Sequence, residues 1–229
     1  MTRSPPELTD RLTRILLVDD HPIVLQGLTQ LINQQPDLLI CGQAPNAIGA
    51  MRAIEEHNPD LAIVDIFLKE SNGLELIKTI KLRYPKLLIL VLSMHDESLY
   101  AERVLRAGAR GYIMKEEATG MLINAIRRVI QGEIYLSDKI ASRLLSKFVG
   151  GRHDKPTSPV DSLSDRELEV FQLIGRGYAT RQIAEELHLS VKTVETYRER
   201  IKDKLQLDHA NELVQHAINW FQNTSRESR

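Results

Sequence analysis

In the first half of this 229-residue chain, three aspartates, a serine and a lysine stand at the ends of short apolar runs. Asp19 and Asp20 follow Ile15–Val18, Asp65 follows Leu61–Val64, Ser93 follows Leu87–Leu92 and Lys115 follows Gly111–Met114. Three carboxylates gathered in one place repel one another unless a cation sits among them. An all-oxygen ligand set of this kind suits Mg²⁺, which keeps several of its waters. A carboxylate is also able to attack phosphorus and form an aspartyl-phosphate. A metal, a lysine and a hydroxyl beside it would stabilise charge on the phosphoryl oxygens. Taken singly, an Asp-Asp pair is commonly a solvated loop and a lysine a surface charge; the argument for a site rests on all five positions together.

The elements needed to bring these residues together are legible in the pattern. The runs Ile15–Val18, Leu38–Cys41, Leu61–Val64, Leu87–Leu92 and Gly111–Met114 are short, continuous and bounded by polar, Gly or Pro residues, as strands buried on both faces are. Between them lie helix-length stretches at 23–33, 47–57, 73–83, 97–107 and 118–131. In the first, Val24, Leu28, Leu31 and Ile32 share one face at helical spacing. Five β–α units with right-handed crossovers predict a parallel sheet covered by helices on both sides. Ligands bind outside the carboxyl ends of the strands in such a sheet, so all five residues are expected at one edge.

Composition changes near Phe148. The segment Gly150-Gly151-Arg152-His153-Asp154-Lys155-Pro156-Thr157-Ser158-Pro159 reads as a linker, preceded by one further possible helix at 138–147. Everything after it reads as helical. Ser164 and Glu167 form a capping box opening a helix with Leu168, Phe171, Leu173 and Ile174, which Gly175 and Gly177 end. A second helix is expected over 180–187, a turn at His188-Leu189-Ser190, a third helix capped by Ser190, and a fourth over 211–221. At 100° per residue, Val194, Tyr197, Ile201 and Leu205 form a core-facing stripe of the third helix. Lys192, Glu195, Thr196, Glu199 and Asp203 point away from it, with Thr193, Arg198, Arg200, Lys202 and Lys204 on the flanks. Polar heads outward and cations at the edges suit the major groove of DNA. The excess of cations is modest, so a single copy should bind weakly and lose affinity steeply with salt.

The balanced charge, formally −1, places any nucleic-acid footprint in a local patch rather than a global basic field. Cys41 has no partner cysteine, which favours a reduced, cytoplasmic setting. No apolar run approaches the roughly 20 residues a membrane span needs. Residues 1–13 read as a flexible tail without an apolar signal core.

Val18-Asp19-Asp20-His21, Val64-Asp65-Ile66-Phe67-Leu68 with Gly73-Leu74-Glu75, Leu92-Ser93 and Gly111-Tyr112-Ile113-Met114-Lys115 resemble, in order and spacing, the receiver domain of bacterial response regulators. The resemblance implies a flavodoxin-like (βα)5 fold in which Asp65 accepts a phosphoryl group from a sensor histidine kinase. It also implies Mg²⁺ held by Asp20 and Asp65 directly, by Asp19 mainly through water and by the backbone carbonyl of Phe67. Ser93 and Lys115 would grip the phosphoryl oxygens, and Tyr112 would rotate inward when Ser93 moves, although plain packing of the last strand is the alternative for that ring. Lys69 and Glu116 stand where many receivers have proline. Phe67 stands where a side chain can shield the phosphoryl group from water, so slow hydrolysis is expected.

Leu163-Ser164-x-Arg166-Glu167-x-Glu169-Val170, Ile174-Gly175-x-Gly177, Gln182-Ile183-Ala184-x-x-Leu187, Leu189-Ser190-Val191-Lys192-Thr193-Val194 and Ile201-x-x-Lys204-Leu205 resemble the LuxR-type helix-turn-helix. With the receiver pattern and Tyr135-Leu136-Ser137, the whole chain is similar to the NarL/FixJ response regulators. The expected division is a receiver over 14–133, a helix and linker over 134–162, and a four-helix DNA-binding domain over 163–229: α/β, then all-α. Candidate contacts to double-stranded DNA are Arg181, Lys192, Thr193, Glu195, Thr196, Arg198, Glu199, Arg200, Lys202 and Lys204. Glu195 stands where many relatives carry lysine, and Tyr197 where histidine is frequent. An acid cannot bind guanine O6 and N7 but accepts from the cytosine N4 amine, so a different operator is expected. The resemblance makes Leu213, Val214, Ala217, Ile218 and Phe221 a homodimer contact, with core packing as the alternative. The function implied is a phosphorylation-activated transcription regulator. A phosphorylation-independent DNA binder is the rival. An aspartate-nucleophile phosphatase is disfavoured, because the second acid such enzymes carry two residues on is Phe67 here, so no enzyme is expected.

Overall fold

The computed structural model describes residues 12–68, 71–149 and 159–227. In chain order the elements are β1 Thr13–Val18, α1 Pro22–Asn33, β2 Leu38–Ala44, α2 Ala47–His57, β3 Leu61–Val64, β4 Phe67–Leu68, β5 Ser71–Asn72, α3 Gly73–Arg83, β6 Leu88–Ser93, α4 Glu97–Arg106, β7 Gly111–Met114, α5 Ala118–Ile130 and α6 Asp138–Val149. A 3₁₀ turn, Pro159–Ser162, then precedes α7 Asp165–Gly175, α8 Thr180–Glu186, α9 Val191–Leu205 and α10 Ala210–Glu227. The chain divides into two compact units between Leu144 and Leu145, inside α6.

In the first unit, β2, β1, β3, β6 and β7 lie side by side in that order, every pairing parallel. The central strands are closed to solvent on both faces. Ile15, Leu16, Leu61, Ala62, Ile89 and Leu90 are fully buried, which is why their sequences show no alternation. Side chains at the starts of three helices satisfy otherwise open N–H groups: Asn46 caps α2, Asn72 caps α3 and Asp96 caps α4. Strand order reverses beside β1, whose neighbours are β2 and β3; at such a switch point the loops splay apart and leave a crevice.

Two features depart from the sequence pattern. Strand β2 continues past Cys41 to Ala44 through a register shift opposite Ile15 and Leu16. As an edge strand it runs on through half-buried Gly42 and exposed Gln43 to buried Ala44, a stretch that no continuous apolar run would include. Immediately after Asp65 the chain makes a small antiparallel hairpin, β4 with β5, pairing Phe67 with Asn72 and Leu68 with Ser71. Two-residue strands carry no periodicity to read. Lys69 lies outside the described residues, as do the expected tail up to Arg11 and the linker residues 150–158.

The second unit packs α7 against α9 and α10. Phe171, Val194, Ile201, Leu213 and Ala217 are fully buried. Ser164 and Glu167 form the expected capping box. The chain leaves α7 through Gly177 at φ +87°, with Tyr178 N–H donating to the Leu173 carbonyl, a left-handed exit that favours glycine. Helices α8 and α9 are joined by a tight turn in which His188 takes φ +51°.

Candidate functional site

Backbone hydrogen bonds extend the sheet just past its strands and so fix the pocket residues. Asp19 N–H donates to the Ala44 carbonyl at 3.1 Å, Asp65 N–H to Val18 at 2.9 Å, and Lys115 N–H to Ser93 at 2.8 Å. Gly73 lets the start of α3 press against the Asp65 backbone, because a Cβ there would collide with the Asp65 carbonyl and with Ile66. Asp19, Asp65 and Ser93 are buried, at 3%, 3% and 0% exposure.

The side chains converge as the sequence predicts. The Lys115 ammonium lies 2.5 Å from Asp19 Oδ2 and 2.6 Å from Asp65 Oδ2. Phe67 N–H donates to Asp65 Oδ1 at 3.0 Å. Burial pushes the Asp65 carboxyl up from its usual value, against the pull of Lys115. Burial works to lower Lys115, yet its two carboxylate partners outweigh it and hold the lysine above its usual value. His21 was not foreseen as part of this cluster. Its Nδ1 lies 3.1 Å from Asp19 Oδ1 and 2.9 Å from Asp20 Oδ1. Asp19, Asp20, His21 and Asp65 each offer a ligand atom within 4.8 Å of the others. Three carboxylates of this kind fit a hard divalent cation.

Beside the acids sits a group of rings. Phe67 and His95 stack with centroids 3.5 Å apart, and Tyr100 meets Phe67 edge-on at 5.3 Å. Tyr112 is already turned inside the domain, at 1% exposure, and its hydroxyl donates to the His95 carbonyl at 2.8 Å. Burial raises the Tyr112 pKa, which keeps the phenol a donor. His95 carries no distinguishing pattern in the sequence; only the fold brings it against Phe67.

On α9, Lys192, Glu195, Thr196, Glu199 and Arg200 are exposed, as is Arg181 on α8. Thr193 and Thr196 are partly occupied locally: Thr193 shares hydrogen bonds with the Ser190 cap, and the Thr196 hydroxyl donates to the Lys192 carbonyl. Lys202 is paired with Glu199 at 2.8 Å, and Arg198 is half-buried. Lys204 is exposed but is also engaged within the domain. Its ammonium is bonded to Glu167 at 2.7 Å and to the Ser162 carbonyl at 3.4 Å, tying α9 to the start of α7. Val191, in the first turn of α9, is 40% exposed. The α10 stripe also divides. Leu213 and Ala217 are fully buried within the domain, where Gly175 of α7 lies against the Ala217 carbonyl, so these two are core residues. Val214, Ile218 and Phe221 are half-buried.

Comparison with known proteins agrees with this arrangement. The chain matches the response regulator receiver domain family over residues 15–127, and the bacterial regulatory proteins of the luxR family over residues 161–217. It is 37% identical over 209 residues to the oxygen regulatory protein NreC of Staphylococcus haemolyticus, covering 90% of this chain and 96% of the relative. Among solved structures, it resembles RcsB from Salmonella enterica serovar Typhimurium bound to promoter rprA in the presence of the phosphomimetic BeF3⁻. That match has a TM-score of 0.60 and 26% identity over 90% of this chain and 98% of that one. A LuxR-family response regulator from Aurantimonas gives a TM-score of 0.56 at 33% identity, covering 60% of this chain and 99% of that one. A receiver-type α/β unit followed by a LuxR-type helix-turn-helix, with relatives matched over nearly their whole length, places this chain in the NarL/FixJ family of response regulators, the phosphorylation-activated, DNA-binding regulators of transcription.

Proposed function

We propose that Asp65 is the phosphoacceptor and that its phosphorylation by a sensor histidine kinase controls DNA binding through α9. The observation that carries this reading is the buried cluster of Asp19, Asp65 and Lys115 beside Ser93, at the carboxyl edge of the sheet. In the transfer, a carboxylate oxygen of Asp65 attacks the phosphorus of a phosphohistidine. The new P–O bond forms as the P–N bond breaks, and the imidazole leaves with the bonding pair. Lys115 and Ser93 hold the phosphoryl oxygens and offset their charge. Asp20, Asp65 and the Phe67 carbonyl would hold Mg²⁺, with Asp19 acting through water. When bound, the ion supplies electrostatic stabilisation of the transferring phosphoryl group.

Phosphorylation adds about −1.5 to −2 charges. Ser93 is drawn towards them, and the segment from Ser93 to α4, to which the Tyr112 hydroxyl is bonded, follows as the two-state element. On DNA, Lys192, Arg200 and Arg181 reach phosphates while Glu195 and Thr196 face base edges. Two copies would occupy half-sites about one helical turn, or a multiple of it, apart, with Val214, Ile218 and Phe221 available for the dimer contact.

The test is incubation with acetyl phosphate and Mg²⁺, followed by intact mass, size-exclusion chromatography and titration onto duplexes selected from a random pool. Wild type should gain one phosphoryl group, dimerise and bind more tightly, and Asp65→Asn should do none of these. Labelling of Asp65 with no gain in affinity would favour a receiver that acts independently of phosphorylation.

A further inference from the structure

Glu97 is a buried acid outside the pocket. It lies in the first turn of α4, yet Asp96 already caps that helix, accepting from Ser98 N–H at 2.7 Å. Glu97 is only 8% exposed, and its Oε1 accepts the backbone N–H of Ser137 at 2.9 Å, forty residues along the chain. Burying a carboxylate is costly unless a partner repays its lost water. The acids facing it, Glu117 and Asp96, add to the burial that raises its pKa, and the Ser137 bond works against both. Helix-capping does not require this arrangement, and a solvated surface acid would not show it.

Ser137 is where α6 begins. Its carbonyl accepts Ala141 N–H and its hydroxyl accepts Ile140 N–H. The same segment is pinned on its other side to the sheet edge, where Tyr135 bridges Gly111, accepts Tyr112 N–H at 3.0 Å and donates to the Arg110 carbonyl at 2.9 Å. Gly111 has no room for a Cβ, which would lie 2.8 Å from the Tyr135 carbonyl. The residues that lead out of the receiver are thus clamped between β7 and the first turn of α4. Both clamps sit next to parts of the pocket: β7 leads directly into Lys115, and the Ser93–Glu97 segment carries His95, whose carbonyl accepts the Tyr112 hydroxyl.

We infer that the hydrogen bond from Ser137 N–H to Glu97 is the joint through which the state of the acid pocket is passed to α6 and towards the helix-turn-helix, with Glu97 a positioning residue for that output. The inference rests on Asp65 being the acceptor. Movement of Ser93 towards a phosphoryl oxygen displaces the start of α4, Glu97 moves with it, and the first turn of α6 loses or regains its anchor. Two short clamps on one segment form a bistable contact rather than a continuously deformable one.

The full chain would be compared as wild type, Glu97→Ala, Glu97→Gln, Ser137→Pro and Ser137→Ala, each with and without acetyl phosphate and Mg²⁺. Intact mass reports labelling, amide hydrogen exchange over residues 138–149 reports α6, and DNA titration reports output. Wild type should label, change exchange in α6 and gain affinity by roughly 5- to 150-fold, the range usual for such couplings. Glu97→Ala and Ser137→Pro, which each remove one end of the bond, should label as wild type does. Their exchange should be the same before and after labelling, and the affinity gain should be lost. Glu97→Gln keeps an acceptor and Ser137→Ala keeps the N–H, so both should retain the gain. Should Glu97→Ala fold poorly, Ser137→Pro reports on the same bond from its other side. A full affinity gain in labelled Glu97→Ala or Ser137→Pro overturns the joint. Failure of wild type to label is a different result: it removes Asp65 as acceptor and the joint with it.

Discussion

Phe67 lies two residues beyond Asp65, the proposed phosphoacceptor, and its ring stacks on His95. An attacking water needs a clear line to phosphorus, and a large apolar side chain there both blocks it and leaves it without hydrogen-bond partners. Phe67→Ala should therefore hasten loss of the phosphoryl group by roughly tenfold, equivalent to about 1.4 kcal/mol of barrier. Intact mass followed over time after removal of acetyl phosphate measures it, and an unchanged half-life would mean that the ring does not shield. On α9, exposed Glu195 can accept from a cytosine amine but not donate to guanine. Glu195→Lys should move one position of a selected operator from cytosine towards guanine, with discrimination of about 1–3 kcal/mol. Selection of the same operator by both proteins would remove Glu195 from the reading surface.

Among the elements, α7 and α10 approach closely because Gly175 has no side chain. A Cβ there would stand 2.6 Å from the Ala217 carbonyl and 3.0 Å from the Phe221 Cβ. Forced backbone separation of this kind typically costs about 1–3 kcal/mol. Gly175→Ala should destabilise the helical unit by that amount in urea unfolding. Trp220, the single tryptophan, lies 5.4 Å from the Phe171 ring and reports the transition. Helices α7 and α9 are joined by Glu167 and Lys204. Burial raises the Glu167 carboxyl, but the Lys204 ammonium and the Ser164 hydrogen bonds outweigh it and leave it below the usual glutamate value of 4.5. A depressed folded pKa stabilises above the unfolded value and is lost as pH falls through the folded one. The stability gap between wild type and Lys204→Met should thus be present at neutral pH and close below about 4.5. Glu169 acts with the opposite sign, since burial holds its carboxyl up despite Arg166. The difference between the two proteins, not the total acid limb, is therefore the quantity to read. A gap that persists to low pH would rule out the pair as its origin.

At the scale of the molecule, each unit has its own core, one around the parallel sheet and one around Phe171 and Ile201. A cation held as proposed among Asp19, Asp20 and Asp65 would bind only the folded first unit. At a hundred times its dissociation constant it should stabilise that unit by about 2.7 kcal/mol. In thermal unfolding, Mg²⁺ should raise the transition that reports the sheet and leave the Trp220 transition in place. Chelation should reverse the shift, and Asp20→Asn should abolish it. A parallel rise of both transitions would show that the units unfold as one. Among the described residues no helix is long and apolar enough to cross a membrane.

Much of this protein was legible in residue order alone. Continuous apolar runs named four of the five sheet strands within two residues and fell three short on the edge strand β2, since a strand covered on both faces has no polar positions to confuse the reading. Parallel connectivity then brought Asp19, Asp65, Ser93 and Lys115 to one edge. The helix-turn-helix followed from its capping serine, its exit glycine and the stripe Val194, Ile201, Leu205. What sequence left open was decided by packing between residues distant along the chain. Leu213 and Ala217 share one stripe with Val214 and Ile218, and only the approach of α7 at Gly175 makes them core. Lys204 reads as one more flanking cation, and only the fold shows its bond to Glu167 on another helix. The stacking of His95 on Phe67 and the bond from Ser137 to Glu97 have no local signature. Each joins segments far apart in sequence, and spacing along one element carries no information about which groups meet across several.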